Sequence, residues 1–246
     1  MASLTTTKPW SLRWPRARGV LGQAVLFLCL VLAIVVLNLP TLNTLATALK
    51  SNADISSYPP KWIFKPVLTH FTNAWGASGY SFPMFLRNSL MISVLTAVFT
   101  ILICFPAAYS MVRYGFGGQQ LLGFILSLRL IPPIVFAVPL FVFYNRTGLM
   151  DTITGLVLIN TLASAPLAVA VLSSFLRDLP KEIEEAAVVD GCSPLRLLTT
   201  IAFPLTLPGV IATATLAMIW TWNEFLFGFM LSIRRSTPAT VGATLF

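Results

Sequence analysis

The feature that most constrains this sequence is a series of five apolar stretches, each about twenty residues long or longer. A bilayer span needs about 20 mainly apolar residues, because a helix must satisfy every backbone N–H and C=O group internally. Only 10% of the residues are charged, against about 25% in soluble domains. We therefore predict an all-α polytopic membrane protein whose five transmembrane helices lie at residues 19–39, 88–112, 121–144, 153–176 and 201–222. The apolar run 225–233 is too short to cross alone and predicts a re-entrant or interfacial piece.

A basic leader precedes the first span and places the N-terminus in the cytoplasm, since positive charge beside the first span usually sets orientation. The predicted organisation is a cytoplasmic leader at 1–18, a first transmembrane helix at 19–39, an extracytoplasmic loop at 40–87 and a membrane core at 88–246. The "ATA" at Ala46–Ala48 resembles a signal-peptidase site. The apolar segment before it is longer than the roughly 7–15 residues of a signal peptide, which favours a retained anchor.

The charge pattern argues against nucleic-acid binding. The net charge is +8, but Lys and Arg are scattered between apolar runs without a basic stripe. Lipid headgroups are the expected anionic neighbour. Cys29, Cys104 and Cys192 are far apart and give neither a disulfide framework nor zinc spacing. The single histidine, His70, is expected to be structural, and we predict no metal site and no catalytic residues.

The densest charge lies in a loop between apolar stretches, "KEIEEAAVVDGCSPLRLLTTIAFPLTLPG". Leu179-Pro180 opens a short helix that Asp178 is expected to cap, with acidic residues in its first turn. Gly191 suits the left-handed position that ends a helix. Ser193 and Pro194 start a second helix, which Pro204 and Pro208 break or bend. These signals predict a rigid helix–corner–helix unit on the cytoplasmic surface.

The spacing Glu185-Ala186-Ala187, Gly191, Ile201 and Phe203-Pro204 resembles the "EAA" signature of importer-type ABC permeases, with Phe203 where the family usually has Leu. Three further motifs resemble the carbohydrate-uptake branch of that family, in particular its second, maltose-transporter-type subunit. They are "RLIPP" at 129–133, "GLMDT" at 148–152 and "WNEFLF" at 222–227.

The resemblance implies a type I importer fold in which coupling helices at 178–200 seat in a cytoplasmic ATPase. The residues it assigns to coupling are Glu184, Glu185, Ala186, Ala187, Asp190, Gly191 and Pro204. The implied partners are a homologous permease subunit forming a heterodimer, two ATPase subunits and an extracytoplasmic solute-binding protein. The family usually has a sixth span. This sequence stops at Phe246 before one, so we expect either a truncated chain or an incompletely described one.

No phosphate-binding G-x-x-x-x-G-K-S/T motif occurs in the sequence, and "GFGG" at 115–118 lacks the Lys. We therefore expect no cofactor on this chain, with ATP bound by partner subunits. The function implied is a permease subunit in a bacterial inner membrane, without its own ATPase site. It would move a sugar, polyol or sugar derivative inward by alternating access.

Polar residues in and after the spans are candidates for the substrate path: Arg129, Asn160, Ser164, Asn223 and Glu224. Each also has a structural interpretation. Arg129 can pair structurally or reach headgroups, Asn160 and Ser164 can join helices, and Asn223 and Glu224 can form a turn or gate. An ion-gradient-driven transporter or channel is the alternative function, although no acid lies within a span. A membrane enzyme ranks third, because the acids at 181–190 have no partner base.

Overall fold

The computed structural model describes residues 20–76 and 82–245, and all regular secondary structure in these ranges is helical. The leader predicted at 1–18 lies outside the described residues. The chain divides into two compact units, Met1–Asn73 and Ala74–Phe246. Each unit is described by itself below.

The first unit contains a long apolar helix, α1 (Val20–Ala48), and a short helix, α2 (Asn52–Ile55). Its first span was predicted to end at residue 39, but α1 continues nine residues further, so the loop predicted from residue 40 starts later. Pro40 lies inside the helix. It removes one backbone donor, but the apolar sequence continues beyond it. The Thr44 hydroxyl donates to the Pro40 carbonyl at 2.9 Å.

The segment after α1 is held by local polar contacts. The Asp54 carboxylate forms an ion pair of 2.9 Å with Lys61, and Ser51 caps α2 by accepting from the Asp54 N–H. His70 Nε2 lies 2.8 Å from the Lys50 carbonyl oxygen. This hydrogen bond gives His70 a structural role. The helix α3 (Thr69–Gly76) follows it.

The second unit contains ten further helices within the described residues. The longest, α4 (Phe82–Arg113), α7 (Ile153–Asp178) and α11 (Leu207–Asn223), form the bundle. The others are α5 (Gly118–Ser127), α6 (Ala137–Thr147), α8 (Lys181–Val189), α9 (Pro194–Leu197), α10 (Phe203–Leu205), α12 (Leu226–Leu231) and α13 (Ala239–Gly242). Three helices of the described chain, α1, α4 and α7, are long and apolar enough to cross a membrane, and two bent pairs raise the number to five.

The prediction of one continuous helix over 121–144 was wrong. Two helical segments, Gln120–Leu130 and Pro133–Thr147, meet there at 86°. Pro132 and Pro133 both lack a backbone donor, and a proline disfavours helical geometry in the residue before it. Ile131 is accordingly extended, with φ −79° and ψ 121°. The span is broken because the two prolines are adjacent.

The predicted break at Pro204 and Pro208 is confirmed. The segments Pro194–Leu205 and Leu207–Asn223 meet at 80°, and a π-helical turn at Leu198–Ala202 precedes the break. The straight helix therefore starts at Leu207, later than the predicted residue 201. The short apolar run after it contains α12, which has six residues and is too short to cross alone.

The core lies where α4, α7 and α11 meet. Helices α4 and α7 run parallel: Ile92 clusters with Leu156 near their starts, and Arg113 reaches the Leu179 carbonyl at their ends. Gly209 of α11 is buried, and a Cβ there would meet the Phe175 ring of α7. Glycine at this position therefore permits α7 and α11 to approach closely.

Candidate functional site

A buried ion pair between Arg113 and Glu184 joins α8 to the end of α4. The Arg113 Nε and Nη2 atoms both lie 2.9 Å from the Glu184 carboxylate, and the Tyr109 hydroxyl donates to Glu184 Oε2 at 3.0 Å. Arg113 Nη2 also donates to the Leu179 carbonyl, at 2.9 Å. The side chains of Arg113 and Glu184 are only 7% and 9% exposed. Breaking such a buried pair typically costs about 3–5 kcal/mol, so this cluster fixes the position of α8.

Glu184, which the resemblance assigns to coupling, is buried. Its carboxylate points into the protein and is fully used by Arg113 and Tyr109. A neighbouring subunit therefore cannot use this carboxylate as a surface contact. Glu184 instead anchors the helix that carries the other predicted coupling residues.

The start of α8 also differs from the prediction. Asp178 is the last residue of α7, and Pro180 occupies the N-cap position without a side-chain hydrogen bond. The long helix continues two residues beyond its predicted end at 176, which carries Asp178 away from a capping position. Residues Glu182 and Glu184 lie in the first turn of α8, as expected.

The end of α8 forms the predicted left-handed corner. Gly191 has φ +81°, its N–H donates to the Val188 carbonyl at 3.0 Å, and the Cys192 N–H donates to the Ala187 carbonyl at 2.9 Å. These two hydrogen bonds are those of a Schellman motif. The Ser193 side chain then accepts from the Arg196 N–H and caps α9. The two helices are thus joined by a defined turn, and α8 is anchored at its other end to α4.

The surface that α8 and α9 present combines exposed carboxylates with exposed apolar side chains. Val188 and Val189 follow Glu185 by three and four residues, so each lies on the helix face of Glu185. Val189 is 87% exposed, and Leu195 on α9 is 71% exposed. Clustered exposed apolar side chains mark interaction surfaces. Of the remaining predicted coupling residues, Ala186, Asp190 and Pro204 are exposed and Ala187 is half-buried.

Arg129 lies at the break in the third span, in a 3-10 turn at Leu128–Leu130. Its guanidinium carbon is 5.0 Å from the centroid of the Trp220 ring, a cation–π distance. Arg129 and Trp220 line a small pocket of about 10 Å³ together with Ser164. Arg129 is therefore next to α7 and α11.

Asn160 and Ser164 lie one turn apart on α7 and are both buried. Asn160 Nδ2 donates to the Leu156 carbonyl at 2.9 Å, but its Oδ1 atom and the Ser164 hydroxyl have no hydrogen-bond partner. The parallel register puts Thr96 and Thr100 of α4 at the same level, and their hydroxyls are also buried without a partner. We call Thr96, Thr100, Asn160 and Ser164 the polar seam. Unpaired buried polar atoms cost free energy, so apolar side chains at these positions would be expected if their role were packing alone.

Asn223 is the last residue of α11 and Glu224 follows it, and the two differ in role. The two Glu224 carboxylate oxygens accept from the N–H groups of Phe227 and Gly228, at 2.8 and 3.1 Å. Glu224 therefore caps α12, which fits the turn interpretation better than a sugar contact. Asn223 is exposed and lines a cleft of about 400 Å³ together with Trp220. This volume falls in the range of small-molecule sites.

Sequence reasoning missed two groups that hold the bundle together. One is the pair of Tyr109 and Arg113, whose only sequence signal is charge at a helix end. The other is Asp151 in the turn before α7, which accepts hydrogen bonds from the backbone N–H groups of all four residues in 233–236. The motif "GLMDT" included Asp151, but nothing in the sequence linked it to residues more than eighty positions away.

Taken together, a polytopic helical bundle with two broken spans and an anchored, exposed helical pair at one end defines a membrane transport subunit. The chain belongs to the family described as binding-protein-dependent transport system inner membrane component, whose model matches residues 100–235. It is accordingly a multi-pass protein of the bacterial inner membrane and a component of a transporter.

Similar proteins agree with this assignment. The chain is 33% identical to the sulfoquinovosyl glycerol transport system permease protein SmoH of Agrobacterium fabrum, over 81% of this chain and 69% of that protein. It is 34% identical to the trehalose/maltose transport system permease protein MalG of Thermococcus litoralis, over 74% and 66%. This chain therefore spans about two thirds of the length of these relatives.

A solved structure shares the fold. It is the crystal structure of a bacterial ABC transporter involved in the import of the acidic polysaccharide alginate, with a TM-score of 0.72 and 19% identity. The match covers 90% of this chain and 78% of the other. The predicted all-α importer permease fold is thereby confirmed.

Proposed function

We propose that this chain is a permease subunit of an ATP-driven importer for a carbohydrate, and that α8 and α9 dock onto a cytoplasmic ATPase. The observation that carries the proposal is the anchored helical pair. Its inner face is fixed by the ion pair between Glu184 and Arg113, and its outer face presents Glu185 beside exposed Val188 and Val189.

The mechanics follow from this anchoring. A force applied to a flexible loop would be absorbed by the loop, whereas α8 is tied to α4 and continues through a defined corner into α9. Movement of a docked ATPase would therefore be passed on as rigid-body motion of the spans. The two broken spans are the places where the bundle can bend. This arrangement supports alternating access to a central cavity.

The remaining partners belong to the same proposal. They are a homologous permease subunit as the second half of a heterodimer, two ATPase subunits that bind the ATP, and an extracytoplasmic solute-binding protein that delivers the substrate. The chain itself would bind no nucleotide and hydrolyse nothing. A carbohydrate substrate is supported by the names of the two relatives, which are permeases for sulfoquinovosyl glycerol and for trehalose and maltose.

Reversing the charge of Glu185 tests the proposal. Glu185→Lys should lower substrate-stimulated ATPase activity and uptake at least tenfold in the reconstituted transporter, because the lysine would face a surface built to receive a carboxylate. The control is Asp178→Lys, which reverses an exposed acid at the end of α7, outside the face of α8 that carries Glu185. Unchanged ATPase activity and uptake in the Glu185 variant, with intact assembly, would contradict the docking role.

A further inference from the structure

The charge of Arg129 has no acidic partner in the described part of the chain. The ion pairs found there are those of Asp54 with Lys61 and of Glu184 with Arg113. Arg129 instead has its guanidinium over the Trp220 ring, 5.0 Å from the centroid. Arg129 is exposed in this chain, and an arginine within a span-forming segment is a functional-site hypothesis by default.

The surroundings of Arg129 offer further unused polar groups. Ser164 lines the same pocket as Arg129 and Trp220, is only 7% exposed, and has a hydroxyl without a partner. The hydroxyl of Thr213, also in this pocket, is used, because it donates to the Gly209 carbonyl at 2.7 Å. A cation and a free hydroxyl therefore lie side by side, and a ligand oxygen could satisfy both.

Trp220 connects this pocket with the larger cleft. Its side chain lines the pocket of about 10 Å³ on one side and the cleft of about 400 Å³ on the other. The small pocket has room for about one water molecule, so it suits a single functional group. The cleft has the volume of a small-molecule site, and its lining includes Glu224, whose carboxylate oxygens accept from the Phe227 and Gly228 N–H groups. A ligand body in the cleft could thus place one substituent against Arg129.

We infer that Arg129, Trp220 and Ser164 form a subsite for the oxyanion of an acidic sugar, with a carboxylate or sulfate group as the recognised substituent. A guanidinium that stacks on an aromatic ring keeps its N–H edge free, and that edge matches an oxyanion in a bidentate way. A neutral sugar would offer the guanidinium hydroxyl groups but no opposite charge. This inference rests on the proposed function and narrows its substrate class to anionic carbohydrates.

The test uses the assembled transporter in lipid nanodiscs and measures its thermal unfolding midpoint. The probes are glucose, glucuronate and glucose 6-sulfate at 100 mM and constant ionic strength. For the wild type, glucuronate or glucose 6-sulfate should raise the midpoint by about 2 °C or more above the value with glucose. The two anionic probes distinguish a carboxylate from a sulfate.

Variants assign the effect to the subsite. Arg129→Gln should abolish the preference for the anionic probes, and Arg129→Lys should keep part of it, since the charge remains but the planar fork is lost. Arg146→Gln is the control, because it removes an exposed arginine from the neighbouring helix α6 and should leave the preference intact.

Three results would overturn the inference. One is an equal midpoint with glucose and both anionic probes in the wild type, and another is an undiminished preference in Arg129→Gln. The third is a transporter that assembles with Arg129→Lys but not with Arg129→Gln, because this would assign the arginine to an ion pair with the second permease subunit. If the wild type imports sugars but prefers no anion, only this inference fails. If it imports no sugar, the proposed function fails.

Discussion

At the scale of single residues, the most consequential interaction is the buried contact of Glu184 with Arg113 and Tyr109. It joins residues 71 and 75 positions apart and fixes α8 on the end of α4. Glu185, the next residue, is exposed. Two adjacent glutamates therefore have different roles, one inside the protein and one on its surface.

Replacing Glu184 by Gln should loosen α8, because Arg113 would keep a buried charge without a counter-charge. We expect a loss of about 3–5 kcal/mol in the stability of this contact, measured as faster hydrogen exchange of the α8 amides. Glu182→Gln, on the exposed side of the same helix, should change little. A double variant with Arg113→Gln should recover part of the loss, and additive effects of the two substitutions would refute a direct pairing.

Asp151 is a second long-range contact, outside the spans. Partial burial by itself would raise the pKa of this carboxyl, but the backbone N–H groups of residues 233–236 outweigh burial and lower the pKa to about 2. Because the folded pKa lies below the unfolded value of 3.8, the stabilisation is complete above about pH 4. It is lost as the pH falls through about 2.

Asp151→Asn should therefore release the segment 233–236 at neutral pH. The loss of hydrogen bonds from four backbone N–H groups to a charged carboxylate should cost on the order of 1–2 kcal/mol, which is roughly tenfold faster exchange of those four amides. Asp178→Asn, an exposed aspartate at the end of α7, is the matched control. Equal exchange rates in wild type and Asp151→Asn at pH 7 would show that the carboxylate does not hold this segment.

The contacts of Glu184 and Asp151 show which interactions of single residues cannot be predicted from the sequence. The helix cap at Ser193 and the corner at Gly191 were predictable, because each depends on neighbours within a few positions. The partners of Glu184 and Asp151 were not, since the chain must fold before residues 70 to 85 positions apart meet. The same limit applies to Arg129, whose contact with Trp220 joins two different spans.

At the scale of helices, backbone chemistry decides the shape of the bundle. Isolated prolines at 40, 106 and 166 remain inside helices, whereas the adjacent Pro132 and Pro133 break one. Hydropathy located the five candidate spans of the described residues, but it carries no information about a bend inside an apolar run. The 86° break was therefore missed, although both prolines stand in the sequence.

The corner at Gly191 gives a test at this scale. A Cβ added there would meet no atom within 4 Å, so any effect of substitution comes from the left-handed backbone alone. Gly191→Ala should cost about 1–2 kcal/mol, and Gly191→Val more, because a β-branched residue resists φ > 0. Gly191→Asn should be tolerated best.

Co-purification of the ATPase and the unfolding midpoint of the complex measure the effect of these variants. The order Gly, Asn, Ala, Val from most to least stable is expected. If Gly191→Val retains both the ATPase and the wild-type midpoint, the corner does not depend on the glycine backbone.

At the scale of the whole molecule, the anchored helices α8 and α9 are attached to a bundle that contains two broken spans. The anchor makes α8 a rigid part of the α4 end, and the breaks allow the spans to move. The polar seam of Thr96, Thr100, Asn160 and Ser164 lies in the same bundle, and Ser164 also lines the pocket of Arg129. Local chemistry explains each of these features, but their proposed role in transport depends on which protein binds α8.

Site-specific photo-crosslinking tests most directly whether α8 binds the ATPase. A benzoylphenylalanine placed at Val189, which is 87% exposed on α8, should crosslink to the ATPase subunit in intact cells. The same group at Trp62, which is 82% exposed in the loop after α1, should not. Crosslinking of position 189 to an extracytoplasmic protein, or to no ATPase in an assembled and active transporter, would contradict the account.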